Sequence, residues 1–205
     1  MKKRFLNNIK NKIKNKYPKY SNNKIDEIMY GIESLYMMIT KSFVIFLISY
    51  FLGIFKEIIL IFISFNILRR FAFGVHAKNS ITCLISSAGL FIICSFISKY
   101  SFIHLKYLLI FYLIMFIIVF IYAPSDTIKR PIINIKKRRK FKILSCLTVI
   151  CYLLISIIFN NKLITNSLLL GSLIECLLIL PITYKIYNTP YNNYKNYGLS
   201  TNYSD

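Results

Sequence analysis

The residues best suited to chemistry in this 205-residue chain are one of its two histidines, His76, and Cys83, seven residues later. A cysteine attacks carbonyl groups as its thiolate, and a nearby base or cation favours that form. Arg69 and Arg70 supply positive charge just before the histidine, and Gly74 gives the backbone freedom there. The pattern therefore predicts a cysteine nucleophile with a histidine base.

The spacing of this pair requires the chain to bend. Seven residues of straight helix rise about 10.5 Å, whereas direct proton transfer needs about 3 Å. We expect a turn or re-entrant piece around 72–80, with Cys83 on the first turn of the following helix, whose dipole would favour the thiolate. The third, orienting group stays open between Glu33 and Asp126. The alternative interpretation is a packing cysteine and an interfacial histidine.

Metal chemistry is not expected at His76, because no second histidine and no cysteine pair with ligand spacing lies on its side. No cofactor is indicated either.

The composition places this pair in a membrane protein. Apolar side chains make up 56% of the chain, more than in an ordinary soluble domain. Six nearly uncharged runs predict about six membrane segments: 42–55, 58–68, 81–98, 107–123, 143–159 and 163–184. We expect an all-α, polytopic membrane bundle forming a single domain, 1–205, with surface helices in 1–41, the bundle in 42–184 and a tail in 185–205.

The first residues predict a basic amphipathic helix over 2–16, lying on the inner membrane surface. The alternative is a solvated, disordered basic tail. A second helix is expected to start at Asn23.

The formal net charge is +20, and the basic residues fall mainly in the segments expected on one side of the membrane. With a cytoplasmic N-terminus and six crossings, 23 Lys and Arg residues lie inside and 4 outside. This predicts a multi-pass protein of a bacterial cell membrane, with both termini and the Cys/His pair on the cytoplasmic side. Anionic lipid headgroups are the expected partners. Nucleic acid is not, because no recognition motif is present.

Several short motifs together resemble the accessory gene regulator B (AgrB) family of membrane cysteine endopeptidases. The central one comprises Arg69-Arg70, Gly74-Val75-His76-Ala77-Lys78 and Cys83. Weaker matches are Tyr30-Gly31 with Glu33, and Ala123-Pro124 with Asp126, Lys129 and Pro131. One departure stands out: the family commonly has two glycines before the residue that precedes the histidine, and here Phe73 replaces the first.

The resemblance implies a peptidase that removes the C-terminal tail of an AgrD-type quorum-sensing precursor. Cys83 would form an acyl-enzyme thioester with His76 as base, and a cysteine of the precursor would close a thiolactone ring. The supporting residues would be Glu33, Arg69, Arg70, Gly74 and Asp126. An acidic precursor tail could bind the cations Lys129, Lys136, Lys137, Arg138, Arg139 and Lys140, although these residues could instead only enforce topology.

The alternative is a small membrane transporter or peptide exporter without peptidase activity, which predicts ionisable residues inside several spans. Only Glu175 clearly qualifies. A third class, a non-catalytic scaffold, leaves the Cys/His pair unexplained. The sequence determines neither the precursor nor the oligomeric state, so a homodimer stays open, as does export of the product.

Overall fold

The computed structural model is all-helical across the residues it describes, which are 2–18, 20–75, 80–101, 103–127 and 132–197. Its helices are α1 Lys2–Lys16, α2 Asn22–Phe51, α3 Phe55–Ala72, α4 Ser80–Tyr100, α5 Leu105–Tyr122, α6 Ile135–Phe159, α7 Lys162–Ile179 and α8 Pro181–Ile186, followed by a short 3-10 helix, Asn193–Tyr197. In this part of the chain, four helices, α4 to α7, are long and apolar enough to cross a membrane. The predicted helical membrane fold is confirmed.

The chain forms two compact units, Met1–Ile48 and Ser49–Asp205. In the first, α1 spans the predicted residues 2–16, and α2 begins one residue before the predicted start. The α1 side chains Ile9 and Ile13 are half-buried, whereas the lysines of its last turn are exposed. The N-terminal amphipathic helix is confirmed. Its placement on a membrane surface and the single-domain organisation stay predictions.

The predicted segment 42–55 does not form one helix, so its bounds need correction. Helix α2 ends at Phe51 and α3 begins at Phe55. Between them Gly53 has φ +66°, a left-handed conformation that glycine adopts without steric cost. The next predicted segment, 58–68, lies within α3, which carries charged residues at both ends.

The predicted segment 163–184 is also interrupted. Helix α7 ends at Ile179, and Pro181 begins α8. Proline has no backbone N–H to continue the preceding helix and is favoured at the first position of the next one.

Helix α7 is the centre of the second unit and packs against α3, α4, α5 and α6. Of its span, 61% is buried, against 22% to 28% for the other three. Contact with α3 is close enough that a Cβ on Gly171 would lie 2.7 Å from the Ile61 carbonyl oxygen. The Ser64 hydroxyl of α3 also donates to the Ser167 carbonyl, at 3.1 Å. Small residues that let backbones approach are typical of helix packing in membranes.

Hydrogen bonds bring the start of α3, the end of α4 and the start of α7 together. The Lys99 ammonium donates to the Gly53 carbonyl at 2.7 Å. The Asn166 amide donates to the carbonyls of Ser98 and Ser101. Because α3 and α4 have similar lengths, of about 27 and 32 Å, the end of α3 and the start of α4 lie together at the other end of the unit. We call this the connector end.

Candidate functional site

The connector, Phe73–Val75, leads from the end of α3 towards His76. The Phe73 amide still donates to the Arg69 carbonyl, at 3.0 Å, and then the backbone turns with φ +62° at Phe73 and +117° at Gly74. Both angles favour glycine, which gives a physical reason for the two glycines that the family resemblance describes at these positions. The Phe73 ring packs edge-on against Phe141, with centroids 5.1 Å apart.

Backbone hydrogen bonds from two other segments hold the connector. Phe73 forms a parallel bridge with Ser125, whose amide donates to the Ala72 carbonyl and whose carbonyl accepts from the Gly74 amide, both at 2.8 Å. The Val75 amide donates to the Leu178 carbonyl at the end of α7, at 3.1 Å. The residue immediately before His76 is therefore fixed against α7.

The Arg69 side chain links the connector to α7. Its Nη2 donates to the carbonyls of Gly74 and Val75, at 3.1 and 2.7 Å, and its Nη1 donates to Glu175 on α7, at 3.2 Å. The planar guanidinium can make such bonds simultaneously, which an ammonium group cannot do in the same geometry. A Cβ on Gly74 would lie only 2.6 Å from Nη1. Arginine and glycine are therefore matched in shape. Arg70, on the same helix turn, is exposed.

Cys83 lies on the first turn of α4 and is half-buried. Its backbone carbonyl accepts from the hydroxyls of Ser86 and Ser87. Because α3 ends at Ala72 and α4 begins at Ser80, the predicted interruption of the helix and the predicted first-turn position of Cys83 are confirmed.

The other four cysteines lie further along their helices. Cys94 and Cys176 are buried, Cys146 is half-buried and Cys151 is exposed.

The side chains of three predicted site residues lie outside the described part of the structure. His76 and Lys129 lie outside the described residues, and Glu33 belongs to α2, although its side chain is likewise outside them. The contact between His76 and Cys83 and the catalytic roles of both stay predictions.

Asp126 is the centre of another group of polar contacts at the connector end, separate from those of Arg69. Its Oδ1 accepts the Asn193 amide at 3.0 Å, and Oδ2 accepts the Tyr194 amide at 2.9 Å and the Ile132 amide at 3.4 Å. Arg138 Nη1 lies 3.7 Å from Oδ2. A carboxylate has about four acceptor positions, and these contacts use them to hold the segment around Asn193. That arrangement favours a structural role for Asp126 over the orientation of His76.

The basic run on the first turns of α6 contains two kinds of cation. The Arg138 guanidinium stacks on the Tyr194 ring, 3.7 Å from its centroid, and pairs with Asp126. Lys136, Arg139 and Lys140 are exposed, and Lys137 is half-buried. Asn134 caps the helix by accepting from the amides of 136 and 137.

Tyr184 and Ser125 are structural residues of the site that the sequence reasoning missed. The Tyr184 hydroxyl is placed to donate to the carbonyls of Ser125 and Asp126, at 3.2 and 3.0 Å. Burial raises the pKa of Tyr184 to about 12. Tyr184 is the last residue of the predicted segment 163–184, and nothing in the sequence links it to Ser125.

Fold and site together define a class: a helical membrane bundle with a cysteine on the first helix turn after a crosslinked connector, and a histidine directly following that connector in sequence. The sequence profile of the family described as accessory gene regulator B matches residues 6–179. The chain therefore belongs to the AgrB family of accessory gene regulator quorum-sensing systems.

Individual relatives agree with this assignment. A "Putative AgrB-like protein" of Clostridium acetobutylicum is 36% identical over 180 residues, covering 88% of this chain and 86% of the relative. An "Accessory gene regulator protein B" of Staphylococcus aureus is 33% identical over 168 residues, covering 78% and 87%. A "Putative AgrB-like protein" of Listeria innocua is 25% identical over 171 residues, covering 83% and 84%. No solved structure matches the chain.

Proposed function

We propose that this protein is a membrane-embedded cysteine endopeptidase that removes the C-terminal tail of an AgrD-type precursor. The observation that carries the proposal is the connector. Arg69, Ser125 and Leu178 hold the backbone that leads into His76, and Cys83 lies on the first turn of the next helix. A general base needs a defined position relative to its nucleophile. These contacts fix Val75, the residue immediately before the histidine.

In the proposed reaction, the Cys83 sulfur attacks the scissile carbonyl while His76 accepts the thiol proton. The carbon–nitrogen bond then breaks, His76 returns the proton to the leaving amine, and the precursor remains bound to Cys83 as a thioester. The thiol of a cysteine in the precursor attacks that thioester, closes a thiolactone ring and releases Cys83. One thioester replaces another, so the ring closes without ATP as long as water is kept out.

The exposed cations of α6 are proposed to bind an acidic precursor tail. Positive charge at a helix N-terminus is unfavourable, by roughly 0.3–1 kcal/mol for each cation near the end. Lys136, Arg139 and Lys140 nevertheless occupy the first turns of α6. An anionic partner would offset this cost, and an acidic tail or anionic lipid headgroups supply the charge.

Both termini and the connector end are proposed to face the cytoplasm of a bacterial cell. The basic run of α6 and both arginines of α3 lie at the connector end, and most Lys and Arg residues fall on that side under the positive-inside rule. A homodimer in the membrane remains a second proposal for assembly.

The transporter alternative would use buried polar side chains to line a path. Helix α7 does bury several, but those in its first half bond to neighbouring helices. Ser167 pairs with Ser98 at 3.2 Å, and Asn166 donates to two carbonyls of the α4 end. Side chains occupied in this way favour packing over a substrate path.

Co-expression with the precursor tests the function. Cys83→Ala and His76→Ala should each abolish tail removal while membrane insertion is retained, and Cys151→Ala, at an exposed cysteine, serves as the matched control with parental cleavage. A chelator should not inhibit. Full cleavage by the Cys83→Ala protein would end the enzyme proposal.

A further inference from the structure

Glu175 is the one acid of α7, and it is completely buried. Its Oε2 pairs with Arg69 at 3.2 Å, and within the described part of the chain its Oε1 has no hydrogen-bond partner. A buried ion pair usually contributes less stability than well-packed apolar side chains of similar volume. The stability of the bundle therefore does not explain why an acid occupies this buried position.

The contacts of Arg69 indicate what the acid does. Without Glu175, the Arg69 side chain would keep its bonds to the Gly74 and Val75 carbonyls but lose its anchor on α7. The side chain is 14% exposed, so its charge would be left largely buried without a counterion. Glu175 thus fixes the guanidinium, and the guanidinium fixes two consecutive carbonyls of the connector.

We propose that Glu175 is a positioning residue for the peptidase reaction, acting through Arg69 on the connector that leads into His76. This inference rests on the proposed function. Glu175 touches neither the precursor nor Cys83 in this account. Through Arg69, Glu175 fixes the orientation of the connector backbone. That orientation determines how much of the time His76 is placed to accept the Cys83 proton.

Glu175→Gln is the discriminating variant, because it keeps the shape and an acceptor oxygen for Arg69 but removes the negative charge. The turnover rate of precursor cleavage should fall between about 10-fold and 100-fold, since small displacements of a catalytic group have effects of that order, while KM stays within roughly twofold. The matched control is Asn166→Ala, which removes two hydrogen bonds made by the same helix at its opposite end, one of them buried. It should destabilise the protein without lowering the turnover rate.

A second readout needs no precursor. Iodoacetamide reacts with thiolate and not with thiol, so the rate at which Cys83 is alkylated at neutral pH, followed by mass mapping of its peptide, reports on the base beside it. Glu175→Gln should slow alkylation several-fold, as His76→Ala should, and Asn166→Ala should not. In an Arg69→Lys background, Glu175→Gln should add little, because both residues act along one chain of contacts.

The outcomes separate the two proposals. If Cys83→Ala abolishes cleavage but Glu175→Gln cleaves and alkylates at parental rates, the peptidase stands and the positioning role is wrong. Equal losses in Glu175→Gln and Asn166→Ala would also overturn it, because the acid would then serve stability alone. If Cys83→Ala cleaves normally, the proposed function itself is wrong.

Discussion

The two ends of the second unit are built on different principles. At the end opposite the connector, side chains cap and join helices through hydrogen bonds to neutral groups: Asn161 Oδ1 accepts from the backbone amides of Leu163 and Ile164, and Thr165 donates to the Ser156 carbonyl. Such caps need no buried charge.

The connector end also contains ion pairs, Arg69–Glu175 and Arg138–Asp126. Arg69 reaches Glu175, 106 residues away, and Asp126 holds amides 67 and 68 residues away. Buried ion pairs are costly to maintain, so we infer that these two serve the geometry of the end that carries Cys83.

The largest expected effect comes from the two glycines with positive φ. Gly74→Ala places a Cβ 2.6 Å from Arg69 Nη1 and 3.1 Å from the Leu178 carbonyl oxygen, whereas Gly53→Ala meets only the flexible end of Lys99, at 3.6 Å. Cleavage by Gly74→Ala should fall more than about 100-fold. Gly53→Ala should lose only about 1–2 kcal/mol of stability and keep near-parental cleavage, measured on equal amounts of inserted protein. Similar losses in both would remove the distinction between the ends.

The next effect concerns the C-terminal segment. Asp126→Asn replaces one carboxylate oxygen, which accepts backbone N–H groups, by an NH2 group that can only donate. The free energy of unfolding should therefore fall by about 3 kcal/mol, and the segment around Asn193 should detach. Trypsin cleavage after the exposed Lys195 should accelerate about tenfold or more.

Asn161→Ala is the control for this change, since it removes a cap worth about 1 kcal/mol at the opposite end. It should leave the rate of that trypsin cleavage unchanged. An unchanged rate in Asp126→Asn would mean that the carboxylate does not hold the segment.

Smaller effects should distinguish the cations of α6. Gln substitution at Lys136, Arg139 or Lys140 should raise KM for an acidic-tailed precursor by roughly twofold to fivefold, and added salt should reproduce this rise in the parent. Arg138→Gln should also lower stability by about 1–3 kcal/mol, because it breaks the contacts with Asp126 and Tyr194. Equal cleavage by the three exposed variants at low salt would assign these cations to the membrane alone.

The smallest effect is expected at Phe73, where two terms oppose each other. Glycine relieves a positive φ that costs of order 1–3 kcal/mol for other residues but loses the ring contact with Phe141, worth about 0.5–1.5 kcal/mol. Phe73→Gly should therefore be near neutral in thermal unfolding. Phe73→Ala loses the ring and keeps the strain, so it should be less stable than the glycine variant; the reverse order would contradict the backbone geometry described for the connector.

Local sequence signals predicted much of this architecture. The spacing of Ile9 and Ile13 predicted α1, and the polar interruption around Gly74 predicted both the break after α3 and the place of Cys83 on α4. These features depend on residues that are neighbours in the chain, so periodicity and turn chemistry reveal them.

Long-range partners could not be predicted in the same way. Glu175 was recognised only as an ionisable residue in an apolar run, because nothing in the sequence links it to Arg69. Asp126 was one of two candidates to orient the histidine, and its structural role was missed because its amide partners come from a tail without any motif. The divided segment 42–55 is different: Gly53 was a visible turn signal that the apolar count outweighed.

If Cys83 carries the precursor as a thioester, this intermediate can be trapped. A precursor whose ring-forming cysteine is replaced by serine provides a poorer nucleophile, so the acyl-enzyme should accumulate. Mass spectrometry should find the N-terminal part of the precursor on the Cys83 peptide, released by hydroxylamine and absent from Cys83→Ala. Tail removal without any such adduct, or an adduct on another cysteine, would contradict the account.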